Sequence, residues 1–209
     1  MICILMLATI TSQAQESFVL QSGDFLFQDL DCGDLCEAIE KVTPGIGDRH
    51  FSHIGLACYQ NGEVYVIESL GKGVQLTPLA KFLQRQTNKE GQPMVMVGRL
   101  KPSYTYLIEP AITFSLQQIG TPYDQYFLYD NGKYYCSELI YDAFHHANGA
   151  QDFFHMYPMT YKDPETGNYM PAWEQYFQKL GTTIPEGLPG CNPGSIANSP
   201  YLDIIFSYY

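Results

Sequence analysis

Basic side chains are scarce in this 209-residue chain: 11 Lys and Arg stand against 22 Asp and Glu, a formal net charge of −11. Such a chain repels phosphates, which argues against sequence-independent nucleic-acid binding. Charged residues of both signs make up only 16% of the sequence while hydrophobic residues make up 45%, a balance too apolar for a disordered chain. There is no low-complexity run and no internal repeat, which sets aside solenoids and tethers. No apolar run approaches the roughly 20 residues of a membrane-spanning helix. What remains is one globular domain, long enough to bury a core.

The most apolar stretch, Met1 to Ala14, reads as a secretory signal. Its short apolar run gives way to polar Thr11, Ser12 and Gln13, with Ser12 and Ala14 as small residues before a cleavage point near Gln15. It lacks the basic start that such signals carry, and a buried N-terminal strand is the alternative. A cleaved signal leaves one domain over 15–209, secreted or periplasmic, in which cysteines can pair. Six cysteines are present, at 3, 32, 36, 58, 136 and 191; loss of Cys3 leaves an odd number and so one free thiol. Cys32 and Cys36 read as a local disulfide in a loop, and Cys58 and Cys191 as core or paired cysteines. A zinc site from Cys32, Cys36, His50 and His53 competes with this, but its His spacing is shorter than zinc sites use, so no metal is assigned.

Strands come first along the chain and helices later. Phe25 to Gln28, Ser52 to Tyr59, Val64 to Ser69 and Pro93 to Leu100 are apolar strand candidates, with a short helix over Leu79 to Gln86. Pro110, Ile112, Leu116 and Ile119 then follow helical spacing up to Gly120 and Pro122, and Leu139, Ile140, Ala143, Phe144 and Ala147 form a second apolar stripe that begins beside Cys136. From about residue 152 the chain is rich in Pro, Gly, Tyr and Asn, with one helix near Ala172 to Leu180, and reads as an ordered wrap held by Trp173, Tyr176 and Phe177. A strand-rich first half and a helical second half share one core by packing helix on sheet, an α+β architecture.

Asn61-Gly62 between two apolar runs is a strong hairpin signal, because both central residues of a type I′ turn need positive φ. In a two-residue turn Gln60 opposes Glu63, which sets Gly55 against Glu68 and puts His53 diagonal to Glu68 on one face. A histidine oriented by a carboxylate is half of a nucleophilic triad, although a structural His beside a surface Glu is the plainer reading. Cys136 adds a sulfur at a helix start, where free N–H groups and the helix dipole favour a thiolate. The N–H of Ser137 is then placed to face an oxyanion. Taken alone, Cys136 fits a buried structural cysteine equally well.

Four segments carry a family resemblance: Gly23 to Phe27 (GDFLF), Ser52 to Leu56 (SHIGL), Gly120 to Tyr123 (GTPY) and Tyr134 to Phe144 (YYCSELIYDAF). They resemble the motifs of the NlpC superfamily of papain-like cysteine hydrolases, in which the cysteine block usually comes first. Here the order is reversed, which resembles the circularly permuted YiiX/YebB-like branch, and the C-terminal segments MYPMTYKDPETG, WEQYF and IPEGLPGCNPG are similar to that branch as well.

The resemblance implies a permuted papain-like fold, with a small antiparallel sheet packed on the Cys136 helix. It implies Cys136 as nucleophile, His53 as general base and Glu68 as the residue that orients it, and it matches Tyr123 to a position whose hydroxyl assists the oxyanion hole; an aromatic core residue is the alternative for Tyr123. Ser137-Glu138 departs from the Ser-Gly of unpermuted members. Asp24 is expected to tie the loop before its strand. The implied activity is thioester-mediated cleavage of an amide in a cell-wall peptide or an acylated amino acid, without a cofactor and without a membrane anchor in the mature chain. The same thioester chemistry would also serve a lipid acyl hydrolase or acyltransferase, and a non-catalytic secreted binding module is the third class.

Overall fold

The computed structural model describes residues 18–209; the expected signal segment and Cys3 lie outside the described residues. In chain order the elements are β1 (Phe25–Gln28), α1 (Asp34–Lys41), β2 (His53–Gln60), β3 (Glu63–Leu70), β4 (Gly73–Pro78), α2 (Leu79–Gln84), β5 (Val95–Leu100), α3 (Ile108–Gln117), α4 (Cys136–Ala147), β6 (Tyr157–Pro158), α5 (Pro171–Leu180), β7 (Pro189–Gly190), α6 (Pro193–Ala197) and β8 (Leu202–Ser207). Six strands form one antiparallel sheet in the order β4-β3-β2-β1-β5-β8, and β6 pairs with β7.

The β2–β3 hairpin has the register its turn dictates. Gln60 pairs with Glu63 and Leu56 with Ile67, and both turn residues are left-handed, Asn61 at φ 53° and Gly62 at φ 85°. Alternation then sorts the side chains. Ile54, Leu56, Cys58 and Ile67 face the main core with α4 residues Leu139, Ile140 and Phe144. Leu26, Ala57 and Val66 face a smaller cluster closed by Phe82 of α2. Both sheet faces are therefore covered, and polar side chains between them must find partners.

Several elements differ from the sequence reading. The segment after Cys32 is the helix α1 rather than a loop: Leu35, Ala38, Ile39 and Val42 repeat at helical spacing and pack on the core, and Asp34 and Glu37 occupy its first turn. Cys32 and Cys36 are joined by a disulfide across its start. The short run Gly73–Pro78 is strand β4. In the C-terminal region Trp173 and Phe177 are buried, and the chain returns to the main sheet as β8, paired with β5. Ile119, expected in the helix after Pro110, lies beyond the end of α3 and is exposed.

Asp24 ties the chain into β1 as anticipated: its Oδ2 accepts the Gln21 N–H at 2.7 Å. The guanidinium of Arg99 also grips both its oxygens at 2.7 Å, a bidentate pair that the sequence did not suggest.

Candidate active site

The hairpin carries His53 and Glu68, and α4 begins at Cys136. His53 Nε2 lies 2.6 Å from Glu68 Oε2, with the two residues only 1% and 0% exposed. Cys136 stands beside the same imidazole and is among the groups that raise the His53 pKa. With Nε2 engaged by Glu68, Nδ1 is the nitrogen left to face the sulfur. Burial by itself would lower the His53 pKa, but hydrogen bonds to Cys136 and Glu68 and the charges of both outweigh it and raise it to about 9. Burial likewise opposes the charge on Glu68, yet His53 and Arg85 hold its pKa down to about 2.

Glu68 has three side-chain partners. Besides His53, it accepts a hydrogen bond from Thr77 Oγ1 at 2.5 Å, and the Arg85 guanidinium spans both its oxygens, with Nη1 2.9 Å from Oε2. Arg85 Nη1 is also 3.1 Å from Gln28 Oε1, and Gln28 Nε2 donates to the Phe82 carbonyl at 2.9 Å. The carboxylate is thus fixed from β2, β3, β4 and α2 at once. Thr77 and Arg85 were not picked out from the sequence. The signal for Thr77 was the register of β4, and for Arg85 it was the need of any buried carboxylate for a cation in a chain that has few.

Gly55, opposite Glu68, is a glycine because of Val66. A Cβ there would meet Val66 Cγ1 at 2.3 Å and the Ile67 carbonyl at 3.1 Å, while Glu68 Cβ would sit at an ordinary 3.4 Å. The glycine lets Val66 close over the strand pair.

Cys136 is delivered by the loop before α4. Ser69, next to Glu68, donates through Oγ to the Tyr134 carbonyl at 2.5 Å, so strand β3 grips the chain two residues ahead of the sulfur. Strand β4 grips it further upstream: Val74 N–H donates to the Thr121 carbonyl and Gly120 N–H to the Val74 carbonyl, both at 2.9 Å. Gly73 permits this approach, because at φ 134° any Cβ would lie 2.0 Å from the Thr121 oxygen. Glu138, where unpermuted relatives have glycine, reaches back to accept N–H bonds from Tyr135 at 3.3 Å and Asp130 at 3.2 Å. Burial pushes its pKa up to about 8 against the pull of those two N–H groups.

Tyr123, Cys136 and Ser137 line one cavity of about 190 Å³, whose other walls include Ile39, Val42, Phe127, Met159 and Trp173 and no charged side chain. His53 and Glu68 stand outside the cavity wall. Burial and the nearby Cys136 keep the Tyr123 phenol protonated, hence a donor. Ser137 spends its hydroxyl on the Cys191 carbonyl at 3.0 Å, which leaves only its backbone N–H for an oxyanion. The zinc reading fails on its donors: Cys32 and Cys36 are spent on each other, and among the described residues no group of three or more His, Cys, Asp or Glu side chains could hold a metal ion. His145 pairs with Asp152 at 3.2 Å, and His146 packs against Phe114.

The helix of Cys136 follows the strand of His53 in the sequence. The family model described as permuted papain-like amidase enzyme, YaeF/YiiX, C92 family, matches residues 19–206. The chain belongs to this family. As a permuted papain-like amidase it is a cysteine hydrolase with an α+β fold. It is 25% identical over 149 residues to the protein YiiX of Escherichia coli (strain K12), spanning 71% of this chain and 69% of that protein. The crystal structure of a protein described as metalloprotein yiiX from Escherichia coli O157:H7 is similar in fold, with a TM-score of 0.70 at 22% identity, covering 89% of this chain and 96% of that one.

Proposed function

We propose that this permuted papain-like amidase cleaves an amide bond through a thioester on Cys136, with His53 as general base and Glu68 as the residue that orients it. The observation that carries the reading is the buried His53–Glu68 pair at 2.6 Å, with Cys136 beside the same imidazole. His53, whose pKa is raised to about 9, holds the proton of the Cys136–His53 pair as the sulfur attacks the carbonyl. The Tyr123 hydroxyl and the Ser137 N–H are the donors on hand for the oxyanion. His53 then returns the proton to the departing amine, and in the second half it takes a proton from the water that hydrolyses the thioester. Glu68 steadies the imidazolium throughout, and Arg85 with Thr77 keeps Glu68 ionised and in place.

The substrates we propose are peptides, including cell-wall peptides, and acylated amino acids, with the neutral group beside the scissile carbonyl in the uncharged cavity. That apolar lining also favours a second reading, acyl hydrolysis or transfer from a lipid ester through the same thioester. We place the protein's work outside the reducing cytosol, which the Cys32–Cys36 disulfide supports.

Incubation with a panel of peptidoglycan fragments, acylated amino acids and lipid esters, with products read by mass, tests the proposal. Amide products formed by the native protein and abolished in Cys136→Ser support it. Turnover only of lipid esters favours the second reading, and turnover that survives in Cys136→Ser refutes the thioester.

A further inference from the structure

Three free cysteines are buried among the described residues, Cys58, Cys136 and Cys191, and the mechanism uses only one. Cys58 is on β2 in the main core. Cys191 is different: it lines the same cavity as Cys136. The neighbours of Cys136 on both sides are fastened to it. Cys191 N–H donates to Tyr135 Oη at 3.1 Å, its Sγ lies 3.8 Å from that hydroxyl, and its carbonyl accepts from Ser137 Oγ at 3.0 Å. Gly190 makes this approach possible, since a Cβ there would meet Met159 Sδ at 2.1 Å and the Tyr135 hydroxyl at 3.0 Å. A second thiol is therefore held at the start of the helix that carries the nucleophile.

We propose that Cys136 and Cys191 are an oxidisable pair, in which a hydroperoxide oxidises Cys136 and Cys191 resolves it into a Cys136–Cys191 disulfide. In the first step the Cys136 sulfur takes one peroxide oxygen, the O–O bond breaks, and Cys136 becomes a sulfenic acid while the peroxide is reduced to an alcohol or water. In the second step the Cys191 sulfur attacks that sulfur. The S–S bond forms, and the sulfenic hydroxyl leaves with the Cys191 thiol hydrogen as water. A dithiol reverses the change by exchange. Burial raises the Cys191 pKa well above the usual thiol value, so Cys191 stays a thiol and oxidation begins at Cys136, beside His53. The disulfide blocks turnover and also stops Cys136 from proceeding to the irreversible sulfinic acid. The effect on rate rests on the proposed role of Cys136; the disulfide itself does not.

The test is to expose the full chain to hydrogen peroxide, block remaining thiols with N-ethylmaleimide, and map the digest by mass without reduction. A linked Cys136–Cys191 peptide with Cys58 alkylated is expected. In parallel, hydrolysis is followed through peroxide and then dithiothreitol, each variant being scaled to its own starting rate. The native protein should lose most of its rate and regain it, whereas Cys191→Ala should lose it without recovery. Cys191→Ser serves if the alanine variant does not fold, and the mapping needs no variant. Cys136 found only as sulfinic or sulfonic acid, or a Cys191 variant that recovers as fully as the native protein, overturns the proposal. A linked peptide in a protein inactive before peroxide would leave the pair standing and count against the hydrolase reading alone.

Discussion

Replacing Arg85 with Met removes the cation from the buried Glu68 carboxylate while keeping an unbranched stem over the Phe82 ring, 5.0 Å from the guanidinium carbon. Glu68 at a pKa of about 2 instead of 4.5 corresponds to about 3 kcal/mol of net attraction shared by His53, Arg85 and Thr77. Loss of Arg85 leaves the desolvation cost of the carboxylate whole. Breaking a buried pair from one side costs about 3 to 5 kcal/mol, and because the Arg85 side chain is 21% exposed water screens part of it, so we expect about 3 kcal/mol. The sign of the pH dependence follows from the lowered Glu68 pKa. Its stabilisation is complete above 4.5 and disappears as pH falls through about 2; in Arg85→Met that window moves upward, toward 4.5. Urea unfolding at pH 7 and at steps down to the acid range measures both effects. A variant within about 0.5 kcal/mol of the native protein at pH 7, the range of ordinary surface changes, would refute the reasoning.

Glu68→Gln should slow turnover by less than Cys136→Ala does, because the amide can still hold the ring but cannot neutralise the imidazolium; equal losses in kcat/KM would contradict this. His53, raised from 6.5 to about 9, contributes stability that is complete below pH 6.5 and lost as pH rises through 9, and kcat/KM should fall over the same alkaline range. A fall centred near 6.5 instead would mean that His53 is not held by Cys136 and Glu68. Gly55→Ala should destabilise by about 1 to 3 kcal/mol through overpacking against Val66, read as a lower unfolding midpoint; no change would show that the strand pair can yield.

What could be read from the sequence was local. The Asn61-Gly62 turn fixes its own hairpin, so the approach of His53 to Glu68 follows from counting residues back from the turn. The stripe after Cys136 fixes α4 in the same way, since its period needs no outside partner. What escaped depends on tertiary contact. Strand β4 is six residues bounded by Gly73 and Pro78, too short for a periodic signal, and it exists because β3 offers it an edge. Arg85 reaches Glu68 only once α2 has folded over the second face of the sheet. The Leu202–Ser207 strand sits in a region rich in Pro and Tyr, whose composition reads as loop until β5 pairs with it. The disulfide was anticipated at Cys32 and Cys36, but the helix beneath it was hidden by reading the same cysteines as a loop.

The most direct measurement is trapping of the covalent intermediate. An electrophilic, carbonyl-directed amide analogue is incubated with the native protein and with His53→Ala, and the modified residue is located by mass mapping. A single adduct on Cys136 in the native protein, strongly reduced in His53→Ala, is the result we predict. An adduct on another residue, or hydrolysis that proceeds while Cys136 remains unmodified and freely alkylated, would contradict the thioester on Cys136.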